Sequence, residues 1–157
     1  MIIRKGVETD LKDVYDLVKE LAIYEKALDE VETSVDSMLE DGFGKNPVFG
    51  FHVAATDGKI VGLSLYYYRY STWKGKLLYL EDLVVLEKYR GRGIGRKLMD
   101  ATIQEAKLQH CNGIQWQVLD WNQPAIGFYE KYEPLFDPAW INCRLSREQI
   151  ENYNSTS

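Results

Sequence analysis

Hydrophobic positions along the chain recur with two periods, near 3.6 and two, and the switches between them mark the elements. Residues 1–5 read as a short strand. Beyond it, Leu11, Val14, Leu17, Val18 and Leu21 recur at helical spacing, with Thr9 or Asp10 placed as the cap and an end near Tyr24. The charged residues 25–32 read as a solvated connection. Thr33 or Ser34 then opens a second helix through Val35, Met38 and Leu39, stopped by Gly42. From Phe49 the period is two. Phe51, Val53 and Ala55 share one face, Asp57-Gly58 is a hairpin signal, and residues 59–70 return as a long strand. A loop over 71–75 leads to a strand over 76–86. Residues 94–110 carry Leu98, Ile103 and Ala106 on a helical face, and Asn112-Gly113 stops that helix. A strand over 114–119 follows, then a helix opened by Asn122 and Pro124 and ending near Tyr132. Pro134 and Pro138 precede a last strand over 140–145, and residues 152–157 are expected to fray.

The order β-α-α-β-β-β-α-β-α-β predicts a mixed sheet with helices on its faces, an α/β (α+β) fold. With 157 residues, no repeat and no linker-like stretch, a single domain is expected over residues 1–157.

Composition narrows the function. The net charge is −5 with no basic block, which argues against nucleic acid or an anionic membrane as partner. Cys111 and Cys143 fit no metal spacing, and with His52 and His110 as the only histidines no metal site is expected. Residues 1–6 lack a signal-like apolar region, so a reduced, cytoplasmic setting is expected. Aromatic content is 13%, with eleven Tyr and four Trp, a surplus that suggests a lined site.

Residues 80–97 hold the candidate chemistry. An apolar strand runs into Arg90-Gly-Arg-Gly-Ile-Gly95 and the start of a helix. Alternate glycines let the backbone approach a ligand, and a helix N-terminus points free N–H groups at an anion. A dinucleotide fingerprint would need glycine where Arg96 stands, and no P-loop run exists. The segment taken alone is also compatible with a glycine-rich turn that binds nothing.

The Arg-x-x-Gly-x-Gly run from Arg90 to Gly95 resembles the acyl-CoA signature of the GNAT N-acetyltransferases. Tyr24-Glu25, the run from Leu39 to Gly44, Tyr66-Tyr67, Tyr70, Trp73, the run from Gly75 to Asp82, and Trp121-Asn-x-Pro124 with Phe128-Tyr129 resemble the diamine (spermidine/spermine) and thialysine N-acetyltransferases in that order. The resemblance covers about residues 1–140. It implies the GNAT fold, acetyl-CoA as cosubstrate, a small amine as acceptor and a homodimer.

It also implies roles residue by residue. The backbone of Leu83, Val84 and Val85 would pair with the pantetheine arm. Arg90, Gly91, Arg92, Gly93, Ile94, Gly95 and Arg96 would hold the pyrophosphate, and Asn122 and Tyr132 would contact the cofactor. Asn122 is equally a helix cap. Tyr129 matches the general acid, although a tyrosine on an apolar helix face is the plainer reading of that residue alone. Glu81 matches a substrate contact and base, with Tyr24, Glu25 and Trp73 as further substrate residues. Strict strand alternation would send Glu81 and Asp82 to opposite faces, leaving Asp82 a supporting role.

Departures from the pattern bear on specificity. Ser71-Thr72 stands where polyamine-acetylating members carry an acidic residue, Arg69 and Lys74 add positive charge, and Phe136-Asp-Pro-Ala replaces a Glu-rich approach to Trp140. Fewer carboxylates favour a short amine, including one that carries its own carboxylate. The expectation is an acetyl-CoA-dependent N-acetyltransferase for a small cationic primary amine. Its alternatives are acetylation of a protein lysine, an N-terminus or an aminoglycoside, and a non-catalytic acyl-CoA sensor.

Overall fold

The computed structural model of the chain describes residues 1–154. Two compact units divide at Gln117/Val118. The first holds β1 (Ile2–Lys5), α1 (Leu11–Tyr24), α2 (Val35–Phe43), β2 (Gly50–Thr56), β3 (Lys59–Ser71), β4 (Gly75–Val85), α3 (Ile94–Leu108) and β5 (Ile114–Gln115). Its five strands lie in sequence order in one sheet, antiparallel from β1 to β4, with β5 parallel to β4. The expected mixed α/β architecture is therefore present.

Local chemistry fixes most element ends. Ser34 caps α2 reciprocally, the Ser37 N–H donating to Ser34 Oγ at 3.0 Å and the Ser34 N–H to Ser37 Oγ at 2.9 Å. Asp57 and Gly58 both have positive φ, 50° and 73°, as a two-residue turn matched to strand twist requires. Asp10 precedes α1 but turns its carboxylate back, accepting from the Val7 N–H at 2.9 Å and from both Arg4 guanidinium nitrogens at 2.7 and 2.8 Å. It joins β1 to the helix start instead of capping α1.

Each face of the sheet packs a helix layer. On one face Leu11, Val14 and Leu17 of α1 and Met38 of α2 meet Phe51, Val53, Leu63, Leu65 and Val84. On the other, Ile94 and Leu98 of α3 meet Ala54 and Val61, with Leu83 and Val85 beside them. Gly62 allows α3 this close, since a Cβ there would lie 2.9 Å from a Leu98 methyl. Polar Thr102 and Glu105 also occupy the buried face of α3, an arrangement the apolar period did not foretell.

The second unit, from Val118, carries α4 (Gln123–Glu130) and α5 (Arg147–Glu151). Two expectations need correction. The strand begun at Ile114 stops at Gln115, and residues 140–145 form no strand. A strand needs a ladder partner, and among the described residues none pairs with 140–145; Trp140, Ile141 and Leu145 are exposed. Of the tail expected over 152–157, residues 155–157 lie outside the described residues. No helix among the described residues is long and apolar enough to cross a membrane.

Candidate active site

In the first unit the site is built around β4. β5 pairs with it only at Leu78 and Tyr79, so from Leu80 to Val85 that edge has no strand partner among the described residues. The outward-facing backbone groups of this edge are thereby open to an extended ligand, apart from Val85 O, which accepts from Arg90. Arg90 closes the following loop, its Nε donating to Val85 O at 2.9 Å and its guanidinium lying 5.5 Å from the Tyr24 ring centre. These contacts make Arg90 an organiser of the loop and join its start to the end of α1.

Gly91 and Gly93 take left-handed φ of 74° and 76°, and a Cβ at either would meet nothing within 4 Å. Glycine is needed for conformation, and the space around the loop stays open. Gly93 is the N-cap of α3 and accepts the first helical bond from Lys97 at 3.1 Å. The N–H groups of Ile94, Gly95 and Arg96 thus precede the helix ladder and, with the dipole, favour an anion. This cradle fits the pyrophosphate of a CoA thioester.

The carboxylates differ most from expectation. Leu65 pairs with Asp82 but Tyr66 pairs with Leu80, so Glu81 is the extra residue of a β-bulge. Alternation is reset there. Tyr79 lies opposite Tyr67, on the α1 face, and Asp82 lies opposite Leu65 on that same face. Glu81 also reaches it, accepting from the Tyr67 hydroxyl at 3.3 Å. The opposite-face expectation is corrected: the bulge brings Glu81 and Asp82 together.

Glu25, just past α1, completes the cluster. Burial, then repulsion from Glu81 and Glu25, pushes the Asp82 carboxyl up to about 7. Burial and Glu81 push Glu25 up as well. Asp82, expected only to support, is the carboxylate able to hold a proton near neutrality. The signal that could have found it is the adjacent acidic pair inside an apolar strand. Its consequence hangs on a bulge that residue types do not mark. Tyr67 and Tyr79 stack beside the cluster, ring centres 5.2 Å apart at 29°. Trp73 stands at the tip of the β3–β4 hairpin, 84% exposed. Among the described residues no group of His, Cys, Asp or Glu is arranged to hold a metal ion.

In the second unit, Asn122 caps α4, its Oδ1 accepting from the Ala125 N–H at 3.3 Å. Tyr129, the penultimate residue of that helix, is buried. Its ring centre lies 5.3 Å from that of Phe128, which in turn lies 5.7 Å from that of Tyr132.

A mixed sheet with an unpaired edge on β4, followed by a glycine-built anion cradle at a helix start, defines an acyltransferase of the acyl-CoA-binding type. The model of the Acetyltransferase (GNAT) family matches residues 11–133. The chain is 38% identical to a thialysine N-epsilon-acetyltransferase of Mus musculus, over 94% of each sequence. It is 36% identical to a spermidine/spermine N(1)-acetyltransferase-like protein 1 of Homo sapiens, over 94% of this chain and 23% of that protein. A solved structure of a mutant BH1408 protein from Bacillus halodurans is similar with a TM-score of 0.75 at 26% identity, over 93% of this chain and 100% of that one. The chain belongs to the GNAT acetyltransferase family and is an acetyltransferase.

Proposed function

We propose that this acetyltransferase moves the acetyl group of acetyl-CoA onto the primary amine of a small cationic acceptor. The observation that carries the acceptor class is the grouping of Glu25, Glu81 and Asp82 on one face beside the Tyr67–Tyr79 stack. An ammonium relieves the repulsion among these carboxylates, and aromatic faces favour a cation. The relatives named for thialysine and for spermidine/spermine support the same reading.

Acetyl-CoA supplies the acetyl group as a thioester. Leu83, Val84 and Val85 align its arm by backbone pairing, and the Gly91–Arg96 amides hold its pyrophosphate. An alkylammonium has a pKa of about 10.4 and cannot attack until it loses a proton. Glu81 holds the ammonium and Asp82 takes the proton. A gap of roughly 3 pKa units costs about 4–5 kcal/mol, well inside the barrier of an ordinary turnover. Tyr129 is the acid that protonates the departing thiolate as the C–N bond forms and the C–S bond breaks. Asn122 contacts the cofactor near its thiol end, and Tyr132 is a further cofactor contact. Tyr24, Glu25 and Trp73 are further contacts to the acceptor. We further propose a homodimer, supported by the exposed apolar positions Trp140, Ile141 and Leu145.

Coenzyme A release, measured with thialysine, lysine, putrescine, spermidine, spermine and a lysine peptide, tests the acceptor class. Turnover confined to short amines is expected. Silence with all of them, in protein that binds acetyl-CoA, would reject the small-amine reading. Tyr129→Phe should lower kcat by about 100-fold or more while cofactor affinity holds; a non-catalytic sensor would show no turnover to lose.

A further inference from the structure

Arg69 lies on the same sheet face as the carboxylate cluster, at the far end of the tyrosine pair. On β3, Leu65 is opposite Asp82, Tyr67 opposite Tyr79, and Arg69 opposite Leu77. The guanidinium carbon stands 5.8 Å from the Tyr79 ring centre, and its positive charge opposes the upward shift of both Tyr67 and Tyr79. No acidic side chain ion-pairs with Arg69 among the described residues. The face therefore has a negative end, an aromatic floor and a positive end. Leu65 and Arg69 are four residues apart, about 13 Å along a strand.

We propose that Arg69 binds the carboxylate of an amino-acid acceptor and so selects a lysine-length amino acid over the diamine that lacks the carboxylate. The proposal rests on the small-amine reading above. Extended lysine measures roughly 7–8 Å from its side-chain nitrogen to its carboxylate carbon. That length is of the same order as the backbone separation between the residue opposite Asp82 and Arg69. A diamine or polyamine of that length brings an ammonium against the guanidinium, and like charges there disfavour it. Arginine suits the task because its planar fork grips a carboxylate in two places and still stacks on a ring.

The test is steady-state kinetics with lysine and cadaverine, which differ by the carboxylate, on wild type, Arg69→Gln, Arg69→Glu and Arg69→Lys. Lys74→Gln, a nearby cation in the hairpin loop, controls for net charge. Arg69 is exposed, and acetyl-CoA binding by each variant confirms its fold. Arg69→Gln should raise the KM for lysine about 10- to 100-fold with kcat within about twofold, and leave the KM for cadaverine level or lower. Arg69→Glu should reverse the preference toward cadaverine, Arg69→Lys should restore part of the lysine affinity, and Lys74→Gln should change neither. Equal effects on the two acceptors, or none, would overturn the role of Arg69 while acetyl transfer to amines stands. A wild type that acetylates neither amine would overturn this inference, and one silent with the whole acceptor panel would overturn the small-amine reading as well.

Discussion

The two faces of the sheet each hold carboxylates away from bulk water, and they treat them in opposite ways. On the α3 face, Glu105 is 4% exposed and accepts from Lys5 Nζ, the Tyr68 hydroxyl and Gln109 Nε2, each at 3.2 Å. Burial pushes its carboxyl up, but the bonds from Lys5 and Tyr68 and the Lys5 charge more than offset this, and it titrates below its ordinary value. Nearby, burial holds the His52 imidazole below its usual value although Glu105 pulls the other way. On the α1 face, Asp82 has only burial and negative neighbours acting on it, and it rises to about 7. A carboxylate with donors built around it belongs to the scaffold. One pressed against its own kind waits for an external cation or proton.

The largest expected effect is on catalysis. Asp82→Asn should cut kcat/KM about 100-fold and remove an ascending limb near pH 7 from its pH profile. A retained limb in the variant would assign the proton to another group. The same variant should become more heat-resistant at pH 8. The folded Asp82 keeps its proton up to about pH 7, whereas an unfolded aspartate loses it near 4. Stability contributed by this group therefore falls between those values as pH rises. Thermal melts of the two proteins from pH 4 to 8 should diverge over that interval.

Glu105 carries the opposite sign. Its folded value is depressed, so its contribution is present above the ordinary 4.5 and lost as pH falls through the depressed value. Glu105→Ala should lower stability by about 2 kcal/mol, or roughly 4–8 °C in Tm, with kcat nearly unchanged. A large kcat loss at constant stability would erase the contrast between the faces. The smallest effect is expected from Tyr68→Phe, which removes one donor to Glu105: about 1 kcal/mol by denaturant melting, with the carboxylate still held by Lys5 and Gln109.

Much of this was legible in the residues. Leu11, Val14 and Leu17 are buried where their period put them, and Ser34 and Asp57-Gly58 mark a cap and a turn by chemistry confined to a few neighbours. The glycine loop was readable for the same reason, since Gly91 and Gly93 adopt the positive φ that sets glycine apart. The last strand was not. Trp140 to Leu145 look like strand residues, but pairing is a property of two segments, and a single segment does not encode its partner.

By itself, then, the sequence determined α1 to α4, the hairpins and the anion cradle, because each depends on spacing and backbone preference within one short stretch, but not the short α5. Only the tertiary structure decided which carboxylates share a face. The Glu81 bulge arises from the register of β4 against β3, and the rise of Asp82 comes first from its burial in the fold and then from the charges of Glu81 and of Glu25 at the end of α1. Register and field both sum over residues far apart in the chain, so no window of the sequence contains them.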